Sequence, residues 1–162
     1  MMKQDGFSLM ELVIVMSLIL IIAVMSDYGR DWLISSRVES QTRQILTDLM
    51  NARASAMQRN HIFFVSLAPN QYTIKEDTDP PPDGDGNLTA SDKLILQQTT
   101  IYALDSFGTT NFSFAPNGTC SLSSGASYTV HVVSNAAPSF DCIILSTTRI
   151  LMGKWDGMCI AQ

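Results

Sequence analysis

Gly6-Phe7-Ser8-Leu9-Met10-Glu11 leads into residues 12–25, a run without a single charge. Residues 7–25 amount to about 19 positions, or roughly 28 Å of α-helix, enough to cross a hydrocarbon core. One carboxylate, that of Glu11, stands inside the apolar stretch. An acid at mid-membrane is unfavourable by roughly 2.5–3.5 kcal/mol or more, so Glu11 demands a reason. A secretory signal peptide would supply one function for the segment, with Lys3 as its positive start. Glu11 interrupts the apolar region, however, and no small-residue cleavage site follows it.

The stretch from Gly6 to Ile14 resembles the prepilin motif of type IV pilins and type II secretion pseudopilins: a short leader ending in Gly, then Phe, a hydroxyl residue, two apolar residues, Glu and a long apolar helix. The resemblance implies cleavage between Gly6 and Phe7 by a prepilin peptidase and N-methylation of Phe7. Ser8 stands where Thr is commoner in that family.

Composition bounds the rest. The 162 residues carry a net charge of −5, a length that suits an anchor and one domain. From His61 onward only Lys75, Lys93, Arg149 and Lys154 oppose nine carboxylates. An acidic head disfavours nucleic acid and anionic lipid as its partners. Lys3 favours a cytoplasmic N-terminus, which places the head in the periplasm or outside.

After residue 27 the apolar positions become periodic. Ile34, Val38, Ile45, Leu49, Ala52 and Ala56 keep to one face of a helix, with Arg37, Glu39, Arg43, Asp48, Arg53 and Arg59 largely opposite. Gly29 is the weak point expected to loosen this helix, and Asn60 is a left-handed stop. Beyond it the pattern changes to strands over 61–67, 71–76, 94–102, 111–114, 127–133, 142–147 and 149–155, the last two turning at Thr147 and Thr148. The fold class expected is α+β, a long helix packed on an antiparallel sheet head. Four regions follow: a leader over 1–6, a transmembrane and assembly segment over 7–26, an amphipathic helix over 27–60, and a β-rich head over 61–162.

A second resemblance lies at the helix end. Leu49, Ala52, Arg53, Ala56, Arg59 and Asn60 are spaced as in minor pseudopilin H and the FimT-like minor pilins. The Asp-rich segment after Tyr72, Phe114-Ala115-Pro116-Asn117-Gly118 and Arg149-Ile150 are similar to the same family, although Thr148 stands where Gly commonly precedes that Arg.

Within the Asp-rich segment, Asp83, Asp85, Asn87 and Asp92 are spaced like positions three, five, seven and twelve of a calcium loop, with Gly86 at the sharp turn. Position one falls on Pro81, which has no ligand side chain, so a solvated acidic turn stands beside calcium as a reading. Cys120, Cys142 and Cys159 allow three pairings, of which Cys142 with Cys159 is preferred because it ties the C-terminal tail to a strand. His61 and His131 accompany no nucleophile elbow and no phosphate loop.

The resemblance thus implies a structural subunit and not an enzyme. Its partners would be the prepilin peptidase, other pilin-like subunits, the inner-membrane assembly platform and membrane lipid. The alternatives are a type IV minor pilin acting in pilus assembly or DNA uptake, and a membrane-anchored hydrolase.

Overall fold

The computed structural model describes residues 8–82, 84–108, 110–121 and 127–162, with backbone alone over 24–29. Helix α1 (Leu9–Arg59) runs for 51 residues, roughly 76 Å at ~1.5 Å per residue. Its first turn closes as the Ser8 carbonyl accepts hydrogen bonds from the N–H groups of Glu11 and Leu12 at 3.0 and 3.2 Å. It ends at Asn60, whose φ of 57° and ψ of 32° place it in the left-handed region. The helix passes through Gly29 without interruption. One glycine weakens a helix by only about 1 kcal/mol, which the turns on either side can absorb.

Val38, Thr42, Ile45, Leu49, Ala52 and Ala56 are spaced alternately by four and three residues, so they lie along one face, and all are buried. Thr42 is the polar member of this stripe. Its hydroxyl donates to the Val38 carbonyl at 2.9 Å, which removes the cost of burying it unpaired.

Among the described residues ten strands follow in chain order. They are β1 (Phe63–Ala68), β2 (Gln71–Glu76), β3 (Lys93–Thr99), β4 (Leu104–Asp105), β5 (Asn111–Phe114), β6 (Cys120–Ser121), β7 (Ser127–Val132), β8 (Cys142–Ser146), β9 (Ile150–Trp155) and β10 (Cys159–Ala161). They form two antiparallel five-stranded sheets, ordered β3-β2-β1-β5-β6 and β10-β9-β8-β7-β4. Hairpin β1–β2 pairs Ala68 with Gln71 across Pro69-Asn70, residues suited to a tight turn. Hairpin β8–β9 closes where Ser146 N–H donates to the Arg149 carbonyl at 2.8 Å.

Alternation sets what each strand contributes. Tyr128, Val130 and Val132 of β7 turn inward, while Thr129 and His131 turn out. The core gathers α1 with Phe63, Val65, Tyr72, Phe112 and Phe114 of the first sheet and Val130, Ile143 and Leu145 of the second. Helix α1 touches β1 and β5 from one sheet and β7, β8 and β9 from the other. Both sheets therefore share one helical face, and the helix cannot leave without opening both.

Candidate functional site

The part of α1 below the head has no packing partner among the described residues. Leu9, Met10, Leu12, Val13, Ile14, Val15, Met16, Leu18, Ile19, Leu20, Ile21 and Ile22 are all exposed, Leu9 at 81%. A helix that is apolar all round is built to be surrounded by apolar material, either lipid or other helices. Glu11 is the acid on this stem, beside Leu12, Val15 and Ile19 on the same side, and it makes no ion pair among the described residues. Gly6 and Phe7, the residues of the expected cleavage, lie outside the described residues.

Among the described residues no helix is long and apolar enough to cross a membrane. Leu9 to Ala23 gives about 15 apolar-rich positions, roughly 22 Å, short of a core of about 30 Å. The span expected over 7–26 thus is not met there, since Phe7 and the side chains of 24–29 fall outside what is described.

Above the stem the head grips α1 through polar side chains as well as through the core. Gln41 Oε1 accepts from the N–H groups of Ile101 and Tyr102, both at 3.0 Å, and its Nε2 donates to the Tyr102 carbonyl at 3.0 Å. Glu39 accepts from Ser139 N–H at 2.7 Å, and Arg53 donates to the Thr148 carbonyl at 2.9 Å. Tyr72 donates to Asp48 at 2.5 Å, and Arg43 lies over the Phe140 ring at 5.5 Å. Glu39, Arg43, Asp48 and Arg53, which sequence periodicity assigns to the face away from the core, instead collar the helix, Asp48 by holding Tyr72 of β2 and the others by holding loops. Their polar character alone gives no hint of it.

At the top of the helix, Arg59 pairs with the buried Glu76 at 2.9 Å. His61 and Lys93 approach the same carboxylate at 3.3 and 3.7 Å. Gly118 passes close to this region with φ of 79°. A Cβ there would meet Met57 Sδ at 2.7 Å, so the position admits only glycine without a shift.

The Asp-rich segment folds around Asp77, which sequence spacing did not single out. Asp77 is buried, and its carboxylate accepts from Gly86 N–H at 2.8 Å and Asp85 N–H at 3.3 Å. Asp85 accepts from Asn87 N–H at 2.9 Å, Asn87 donates back to the Asp85 carbonyl at 3.3 Å, and Asp92 accepts from Thr89 N–H at 2.6 Å. Lys75 donates to the Thr89 carbonyl at 2.7 Å. Of the expected calcium ligands, Asp83 lies outside the described residues, and Asp85, Asn87 and Asp92 are each engaged with backbone groups of the loop itself. Among the described residues no three His, Cys, Asp or Glu side chains stand together as a metal set.

Cys142 and Cys159 are joined in a disulfide that ties β10 to β8, with Cα atoms 6.0 Å apart. Cys120 remains a buried thiol, and burial pushes its pKa up to about 11 despite the opposing pull of Arg53. His131 stacks on Trp155 at 4.6 Å, and Trp155 stacks also with Phe107 at 4.9 Å. Burial lowers the His131 pKa, opposed by the charges of Asp141 and Asp105. His61 serves the Glu76 cluster.

An apolar stem running unbroken into a helix clamped by two antiparallel sheets defines a pilin-like subunit. Residues 41–148 match the family described as type II transport protein GspH, and residues 1–26 match the prokaryotic N-terminal methylation motif. The chain belongs to the type II transport protein GspH family. Comparison with curated proteins and with solved structures found no significant match. Membership of a prepilin-like family carries with it assembly with other pilin subunits and processing by a prepilin peptidase.

Proposed function

We propose that this protein is a minor structural subunit of a pseudopilus that supports type II protein secretion, and that it is not an enzyme. The observation that carries the reading is the stem: its described apolar side chains are exposed on every side, and Glu11 stands among them without an ion pair among the described residues. Cleavage after Gly6 frees the amine of Phe7. In a filament whose stems pack side by side, that amine meets the Glu11 carboxylate of a neighbouring subunit. Pairing in a low-dielectric bundle offsets much of the burial cost of each charge and sets register, because removing one partner strands the other at a cost of about 3–5 kcal/mol. Before assembly the stem rests in the inner membrane with the head in the periplasm, and a platform protein moves it into the filament.

Mass spectrometry of the chain recovered from host membranes tests the first step. N-methylated Phe7 at the mature N-terminus is expected; an intact leader or cleavage elsewhere overturns the reading. Deletion of the gene is expected to stop export of secreted enzymes while leaving surface pili intact. The reverse pattern would move the protein to a type IV pilus.

A further inference from the structure

The outer face of the second sheet carries three rings in one stack. His131, Cys142 and Gly153 stand in register, so Trp155, two residues beyond Gly153, shares their face. Trp155 lies against His131 at 4.6 Å and 17°, and against Phe107 at 4.9 Å and 13°. Phe107 follows β4 with φ of 47°, a backbone conformation that bulky side chains rarely adopt. Its N–H donates to Asp105 Oδ1 at 3.0 Å, and this bond and the stack together fix the ring. Phe107 nevertheless stays 52% exposed, and Met158, in the turn between β9 and β10, 67%. They line a groove of about 310 Å³ together with Thr129, Trp155 and Cys159 of the disulfide.

The charge at this groove is negative. Asp105 stands in register with His131 and is exposed, and Asp156 is exposed in the turn beside Met158. Neither makes an ion pair among the described residues. Asp141, which is buried, accepts from Trp155 N–H at 2.6 Å. The cations of the neighbouring elements are turned elsewhere. Lys154 alternates to the opposite face of β9, which it shares with Ile150 and Met152, and Arg149 precedes the far end of that strand. Arg43 of α1 lies over the Phe140 ring. Burial lowers the pKa of His131 against the pull of Asp141 and Asp105, so it adds no charge at neutral pH. Residues 122–126, which precede Ser127 of the groove, contain no cation.

We infer that this groove takes an arginine side chain presented by a partner protein, with its guanidinium along the Phe107 and Trp155 rings and facing the carboxylates of Asp105 and Asp156. A guanidinium is planar and weakly hydrated, so it stacks on aromatic rings and pairs with a carboxylate at its edge. The rings are stacked and fixed before anything binds, which keeps the ordering cost of binding small. Arginine and tryptophan are also the side chains in which binding energy concentrates at protein interfaces. The inference stands on the groove itself and does not depend on which filament the subunit enters.

The test uses the full chain in non-ionic detergent micelles, isotope-labelled at tryptophan, and the blocked peptide acetyl-Gly-Arg-Gly-amide. The readout is the indole N–H resonance of Trp155, assigned with Trp32→Phe. A saturable shift with a millimolar midpoint is expected, with Trp32 unmoved. The same peptide with citrulline, which keeps the shape of arginine without its charge, is expected to give none. Asp156→Asn should weaken binding about threefold or more, and Phe107→Leu should abolish the shift. Equal shifts with the citrulline peptide, or none with the arginine peptide, would overturn the inference, as would undiminished binding by both variants. A shift of Trp155 on concentrating the chain without peptide would overturn the partner in favour of a second copy.

Discussion

The hydroxyl of Tyr72, on β2, donates to the carboxylate of Asp48, on α1, at 2.5 Å. The Tyr72 ring is buried in the core that also holds Ile45 and Leu49, while its hydroxyl reaches Asp48. Burial, reinforced by the neighbouring Asp48, raises the pKa of Tyr72, so the phenol remains a donor at any physiological pH. Tyr72→Phe keeps the ring and removes only the bond. The expected loss is about 1.5–3 kcal/mol of unfolding free energy, the range for hydrogen bonds to charged groups, measured by denaturant titration of the full chain in detergent. A loss below a few tenths would show that water replaces Tyr72 at Asp48 without penalty.

The cysteines divide into a bonded pair and a protected thiol. With Cys142 and Cys159 17 residues apart in sequence, replacing both by Ser is expected to destabilise the head by about 3 kcal/mol through the unfolded chain's regained freedom. Cys120, with its pKa near 11 against an ordinary 9.0, carries about a hundredth of the usual thiolate at pH 8. An alkylating reagent should therefore label one cysteine per chain, and only after unfolding. Labelling of the folded chain would contradict its burial.

His131 gives the head a pH dependence with a definite sign. Its pKa in the folded chain lies below the ordinary 6.5 because burial outweighs the pull of Asp141 and Asp105. On acidification the unfolded chain takes up this proton first, so stability is full above about pH 6.5 and falls as pH drops through and below that value. His131→Phe retains a ring against Trp155 and removes the titration. Thermal melts from pH 7 to pH 5 should show a smaller decline for the variant than for the parent. Parallel curves would remove His131 as the source.

Asp77 makes a contrasting case of a carboxylate fixed by backbone donors. Asp77→Ala leaves the N–H groups of Asp85 and Gly86 without their acceptor and should cost about 1–3 kcal/mol. Calorimetric titration with calcium checks the other reading of this loop. Because Asp77, Asp85 and Asp92 each accept from the loop's own N–H groups, the parent chain and Asp85→Ala are expected to give the same heats. A binding heat lost in Asp85→Ala would instead establish a calcium loop.

What the sequence makes legible follows the range of the interaction. Val38, Ile45, Leu49, Ala52 and Ala56 repeat every three or four residues, and a repeat of that kind has one structural meaning, a buried helical face. Asn60 is legible because few side chains tolerate a left-handed φ. Strands β4, β6 and β10, of two or three residues, are too short for alternation to register. Gln41 and Asp77 act on backbone 61 and 9 residues away, and nothing local marks a side chain whose partner is a distant N–H. The Asp-rich loop supports two readings at once. Spacing of acids reads as ligand geometry, and the same spacing serves turns, as Asp85 and Asp92 do by accepting from the N–H groups of Asn87 and Thr89.

Glu11 remains the residue on which the proposed assembly turns. Its side chain emerges from an apolar stem, and burying it beside other stems is unfavourable unless a cation meets it. Glu11→Gln removes the charge and retains the shape, so α1 should form, the leader should be cleaved and the chain should enter the membrane as before. The register supplied by the Phe7 amine would be lost. Shearing cells that express Glu11→Gln should recover the subunit in the filament fraction at about a tenth or less of the parent level, corresponding to a loss of at least about 1.4 kcal/mol per contact. Glu11→Asp, shorter by one methylene, should restore part of the incorporation by keeping the charge. Unchanged incorporation of Glu11→Gln would show that apolar packing of the stems sets register without the acid.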